Sequence, residues 1–90
     1  MNQVETVAKE SILKALNDLI DVVAKLRSPQ EGCPWDLAQT QQTLVPYIIE
    51  EAYEVAAAIR SENQEEIVEE LGDFLLQVVL QAQIASENGH

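Results

Sequence analysis

Four carboxylates stand where a helix would ordinarily bury aliphatic side chains: Glu51 and Glu54 in one segment, Glu70 and Asp73 in the next. Each pair is spaced i, i+3, so its members are neighbours on one helix face. The first pair lies with a stripe of Leu44, Ile48, Val55, Ala58 and Ile59; the second lies beside Ile67, Leu71, Phe74 and Val78. Glu51 falls in the middle of its stripe, Glu54 at the edge, and Glu50 on the side of Ala57. Glu66 and Gln77 share the side of Glu70 and Asp73. Carboxylates gathered in a partly apolar site repel one another and lose hydration, so protonation or cations must neutralise them. Such oxygen donors suit hard divalent cations, and Mg²⁺ typically keeps several waters and completes its coordination with substrate phosphates. No histidine joins the cluster, which favours Mg²⁺, or Mn²⁺, over zinc. The competing reading is a solvated acidic face, because glutamate is a good helix former and runs such as Glu65-Glu66 and Glu69-Glu70 commonly face water. Glu51 interrupts an apolar stripe and a second pair recurs on the adjoining segment, which puts the metal reading ahead.

The elements that must hold these groups are helices. From about Val4 to Arg27, apolar residues recur at Ile12, Leu16, Leu19, Ile20, Val23 and Leu26, the spacing of an amphipathic helix. Ser28-Pro29 and Gly32-Cys33-Pro34 break it. Asp36 with Gln39 resembles a capping box for a short helical turn. Thr43 is the expected N-cap of a second long helix, Leu44 to Arg60, with Pro46 in its first turn, where a missing N–H does little harm. Asn63 followed by Glu66 marks the start of a third, running to about Glu87 before the stop signal Asn88-Gly89. The short link Ser61-Glu62-Asn63 makes the second and third helices antiparallel neighbours, which brings the carboxylate pairs together. Phe74 to Ile84 is apolar nearly all round, apart from Gln77, Gln81 and Gln83, and predicts burial between several helices. The expected fold is therefore all-α, an antiparallel bundle of three main helices completed by oligomerisation, as a homodimer or higher homo-oligomer.

Composition narrows the function. Ninety residues make one domain. Sixteen acidic against five basic residues give a net charge of −11, which argues against a nucleic-acid groove. No apolar run of transmembrane length appears, nor a basic stretch leading into an apolar core, so neither a membrane partner nor a signal peptide is expected. A single cysteine, Cys33, precludes an internal disulfide and is compatible with a cytoplasmic setting. There is no Ser/His/Asp set and no glycine-rich phosphate loop; the single glycine of Gly32-Cys33-Pro34-Trp35-Asp36 makes no P-loop. An EF-hand is also absent.

Three stretches in order, GCPWD at 32–36, PYIIEEAYEV at 46–55 and EELGDFLLQVV at 69–79, resemble the MazG family of nucleoside triphosphate pyrophosphohydrolases. The family pattern EExxE, spacer, ExxD falls on Glu50-Glu51-Ala52-Tyr53-Glu54 and Glu70-Leu71-Gly72-Asp73, and the resemblance covers roughly residues 20 to 90. It implies an all-α, usually dimeric bundle that uses Mg²⁺ to cleave between the α- and β-phosphates of a nucleoside triphosphate, giving a monophosphate and pyrophosphate. By motif position, Glu51, Glu54, Glu70 and Asp73 would be the metal ligands, with Glu50 outside them positioning water. Two departures stand out. Leu37 occupies a position where members often carry Lys, which puts one phosphate contact in doubt. Members also usually continue past the equivalent of Glu87-Asn88-Gly89-His90 into a further helix bearing basic residues, so the domain of residues 1–90 is expected to lack that helix.

Trp35 and Arg27 are the candidate substrate-binding residues, the first to stack on a nucleobase and the second to meet phosphates. The plainer alternatives are a loop anchor for Trp35 and a surface helix end for Arg27. The combined expectation is an Mg²⁺-dependent hydrolase of nucleoside triphosphates that clears non-standard or surplus nucleotides. The alternative is a non-catalytic acidic bundle acting in self-association or protein interaction.

Overall fold

The computed structural model describes residues 3–90, with side-chain surroundings given from Ala8 onward. Four helices follow one another: α1 (Gln3–Leu26), α2 (Pro34–Leu37), α3 (Val45–Ser61) and α4 (Gln64–Glu87). The described residues include no strand, and no helix among them is long and apolar enough to cross a membrane. The expected all-α architecture is present. α3 and α4 form an antiparallel hairpin, and α1 packs on α4 less extensively.

The hairpin is closed by local chemistry. Glu62 takes a left-handed conformation (φ 60°) and its N–H donates to Ile59 O, ending α3. Asn63 then caps α4: its Oδ1 accepts from the N–H groups of Glu65 (3.0 Å) and Glu66 (3.2 Å). These are donors a helix start leaves without intrahelical partners. Glu66 does not reach back to the Asn63 N–H; that N–H donates to the Ser61 hydroxyl (3.3 Å), which itself donates to Ala58 O (2.7 Å). Asn63→Ala should cost about 1 kcal/mol, read as a lower urea midpoint with an unchanged slope.

Two other capping expectations are corrected. Thr43 does not cap α3, whose N-cap is Leu44 with no side-chain hydrogen bond. Thr40 and Thr43 bond each other instead, Thr40 N–H to Thr43 Oγ1 (2.8 Å) and Thr43 N–H to Thr40 Oγ1 (3.2 Å), forming a closed turn before the helix. Nor do Asp36 and Gln39 open the short helix. α2 starts after Cys33 with Pro34 in its first turn, and Gln39 Nε2 donates back to Trp35 O (3.1 Å).

The core is small: Val23 of α1, Leu44, and Val79, Leu80 and Ile84 of α4, with Leu19 and Leu76 packed against it. It lies where the end of α1, the entry to α3 and the C-terminal half of α4 meet. The expected α4 stripe is partly displaced. Leu71 and Val78 are exposed, while Val79, Leu80 and Ile84 are buried. A segment apolar all round carries no face signal of its own, so the docking of α1 decides which side is covered. Ile12, Leu16 and Ile20 of α1 also remain exposed. A radius of gyration of 15.3 Å exceeds the roughly 12 Å of a compact domain this long.

Between α1 and α2 the chain turns back tightly. Gly32 N–H donates to Ser28 O (2.7 Å) and Cys33 N–H to Leu26 O (3.1 Å). A Cβ at Gly32 would run into both of those carbonyl oxygens, so the turn admits no side chain there.

Candidate metal centre

The α3–α4 hairpin sets the carboxylates opposite one another. Glu51, Glu70 and Asp73 each present a carboxylate oxygen, and these atoms lie within 4.8 Å of one another. Glu54 joins them through a hydrogen-bonding contact with Glu70 and the field it exerts on Glu51. Glu51, Glu54 and Glu70 are half-buried and Asp73 is exposed, so the group has a dry side and a wet side. Glu50 is exposed, near enough to add its charge to the field at Glu51. Beside the cluster, an open groove of about 550 Å³ runs past Glu54, Ala58, Ser61, Glu66 and Glu70.

The electrostatics describe a site under repulsion. Burial, then the neighbouring charges of Glu54 and Asp73, raise the Glu51 carboxyl above its ordinary value. Glu70 is pushed up to about 7, first by its hydrogen bond with Glu54, then by burial and the surrounding carboxylates. Two carboxyl groups can share a hydrogen bond only if one holds a proton. Glu51 Oε2 and Glu70 Oε2 are buried with no hydrogen-bond partner. Buried oxygens left bare in this way call for a cation or a proton, and three or four carboxylates converging from two helices fit a hard divalent cation.

A pH dependence follows. Glu70 has its folded value raised from 4.5 to about 7, so the folded chain binds more protons than the unfolded chain between those values. That contribution to stability is complete below about 4.5 and is lost as pH rises through about 7. In chelator, the melting temperature should therefore be higher at pH 5 than at pH 8, and Mg²⁺ should raise it more at pH 8. A melting temperature that is flat in chelator, or that rises across this window, would contradict the assignment.

Arg27 takes a different place from the one its position suggests. Its side chain is 8% exposed and every nitrogen is engaged. Nη1 donates to Asp36 O (2.6 Å) and Gln39 O (2.9 Å), while Nε and Nη2 donate to the Glu87 carboxylate (3.1 and 2.7 Å). That guanidinium beside Glu87 holds the Glu87 carboxyl below its usual range. Arg27 thus fastens the loop to the ends of α1 and α4, with four of its five N–H donors engaged. Trp35 is half exposed and meets Tyr47 edge to face, ring centroids 5.8 Å apart. Tyr47 lies four residues before Glu51, one turn away on the same face of α3.

Gln77 shares the side of Glu70 and Asp73, and its Oε1 is also buried without a partner. The Arg27–Glu87 pair, 60 residues apart, has no local signal that could have announced it.

The family model described as the MazG nucleotide pyrophosphohydrolase domain matches residues 39–90. Over 72 residues the chain is 56% identical to the nucleoside triphosphate pyrophosphohydrolase/pyrophosphatase MazG of Thermotoga maritima, covering 80% of this chain and 28% of that protein. It is 46% identical over 77 residues to the nucleoside triphosphate pyrophosphohydrolase of Escherichia coli K12, covering 86% and 29%. The protein of the same description in Mycolicibacterium smegmatis is 44% identical over 72 residues, covering 80% and 22%. The chain spans less than a third of the length of these relatives. With its helical hairpin, its facing acidic pairs and a family model matched over more than half its length, the chain belongs to the MazG family.

Proposed function

We propose that this domain hydrolyses nucleoside triphosphates between the α- and β-phosphates, releasing a nucleoside monophosphate and pyrophosphate, with Mg²⁺ or Mn²⁺ held by Glu51, Glu70 and Asp73 together with Glu54. The observation that carries the reading is that Glu51 and Glu70, which cluster with Asp73, each hold a buried oxygen with no hydrogen-bond partner. A bound divalent cation would supply charge neutralisation for the phosphates and Lewis-acid activation. The chain's own residues do the positioning. The two helix faces fix the carboxylates at spacings set by the hairpin. Exposed Glu50, at the rim, orients the attacking water. Trp35 offers an exposed aromatic surface to the nucleobase. Phosphoryl chemistry of this kind rests on positioning and charge stabilisation and needs no covalent nucleophile. A net charge of −11 would otherwise repel a triphosphate, so cation binding precedes substrate binding in this reading.

The exposed apolar face supports homo-oligomerisation. Ile12, Leu16 and Ile20 of α1 adjoin Leu75 and Val78 of α4 along grooves open to solvent. Self-association through these residues and the Phe74–Ile84 segment would cover a face that the single chain leaves wet.

The test is pyrophosphate release from a panel of nucleoside triphosphates, with Mg²⁺ and with chelator. Release that depends on Mg²⁺ supports the reading. A folded chain that releases no pyrophosphate, and whose melting temperature Mg²⁺ does not raise, would return the site to a solvated acidic face.

A further inference from the structure

Three buried side-chain oxygens among the described residues lack a hydrogen-bond partner: Glu51 Oε2, Glu70 Oε2 and Gln77 Oε1. The first two belong to the carboxylate cluster. The third lies on the same line of α4, where Glu70, Asp73, Gln77 and Gln81 follow at helical spacings of three and four. Contacts fix which way this line faces. Glu70 meets Glu54 of α3, Asp73 meets Glu51, and Gln81 Nε2 donates to Gln41 O (3.1 Å) in the loop before α3. Gln77 therefore sits between the carboxylates and the Gln41 loop, and in the antiparallel register it comes level with Tyr47. Tyr47 holds half-exposed Trp35 against its ring. The seam thus runs from an acidic cluster, past an amide oxygen, to an aromatic pair.

A nucleotide has the same order: phosphates, then a sugar bearing hydroxyls, then a base. The step from Asp73 to Gln77 is about one helical turn, ~5.4 Å, the scale of a ribose. A carboxylate oxygen offers Gln77 Oε1 only another acceptor, whereas a sugar hydroxyl can donate. A buried acceptor left bare in the free protein costs stability, and such costs gather where a ligand will complete the bond.

Resting on the proposed hydrolase reading, we propose that Gln77 is the sugar-reading residue: its amide oxygen accepts from a ribose hydroxyl of a nucleotide whose phosphates lie at Glu51, Glu70 and Asp73 and whose base lies at Trp35 and Tyr47. Gln77 then positions the substrate, and the enzyme discriminates against nucleotides with no hydroxyl at that place.

The experiment compares a ribonucleoside triphosphate with its 2′,3′-dideoxy counterpart on the native chain and on Gln77→Met, which keeps length and removes the acceptor. The native chain should prefer the ribonucleotide in kcat/KM. Gln77→Met should lose about tenfold or more on the ribonucleotide and nothing on the dideoxynucleotide. Without metal or substrate, the variant should melt no lower than the native chain, because it removes an unpaired buried acceptor. Equal losses on both substrates, no loss on either, or a lower melting temperature with equal losses would overturn the assignment and leave the hydrolase reading standing. A native chain that releases pyrophosphate from neither substrate would overturn both.

Discussion

Glu51→Gln should lower Mg²⁺-dependent pyrophosphate release by about 10²- to 10³-fold, the loss expected when several kcal/mol of transition-state charge stabilisation disappear. The substitution keeps shape and hydrogen-bonding capacity but removes the charge from the middle of the cluster. The same change should stabilise the metal-free chain, because burial and the neighbouring Glu54 and Asp73 disfavour a charge on the Glu51 carboxyl. Activity and stability thus move in opposite directions, which a merely damaged fold would not produce. Mg²⁺ should raise the melting temperature of Glu51→Gln less than that of the native chain. Glu50→Gln is the control: on the proposed role of Glu50, positioning water outside the direct ligands, it should cost about 10- to 100-fold. Native activity in Glu51→Gln, or a lower metal-free melting temperature, would refute the role given to this carboxylate.

Arg27→Ala should be the most destabilising substitution outside the core, costing about 3 kcal/mol. For a domain of this size that corresponds to a melting temperature lower by roughly 12–24 °C. The guanidinium satisfies two backbone carbonyls and a carboxylate at once while almost fully buried. Alanine would strand the Gln39 carbonyl, leave Asp36 O with the Gln39 N–H (3.2 Å) as its remaining partner, and free the C-terminal turn of α4. Lysine should rescue little, since a single ammonium cannot span the same acceptors. Glu87→Ala should cost about 1 kcal/mol or less, because Glu87 is partly exposed and the carbonyl contacts survive. The Glu87 carboxyl lies below its usual 4.5, so its share of stability is present above that value and is lost as pH falls through the lowered one. A urea midpoint for Arg27→Ala equal to the native one would show that the clamp is dispensable.

What the sequence disclosed was what its local pattern encodes. Glu51 breaks an apolar stripe, Glu70 and Asp73 repeat the spacing, and Asn63 stands at a helix start; all three features are visible within one or two turns. The capping of α3 was misread because Thr43 has two partners available, its own helix and Thr40, and the turn between the two threonines prevails. The buried face of α4 was partly misplaced because Phe74 to Ile84 is apolar on every side, so only the arrival of α1 selects Val79, Leu80 and Ile84. Arg27 looked like a free cation at a helix end; its acceptors are two loop carbonyls and a carboxylate far along the chain. Long-range geometry, not residue type, separates the two outcomes.

The hairpin that carries the acidic cluster has a further consequence, for the order in which the molecule assembles. Glu51 and Asp73 are joined by a short stretch of chain closed by a tight link, so the loop-closure entropy of bringing them together is small. The clamp that secures the core spans 60 residues and closes a far larger loop. Local contacts form before distant ones, so mutual repulsion among the carboxylates is met early, while Val23 has yet to be covered. Cations in the medium should then change how fast this chain folds, as well as how long it stays folded.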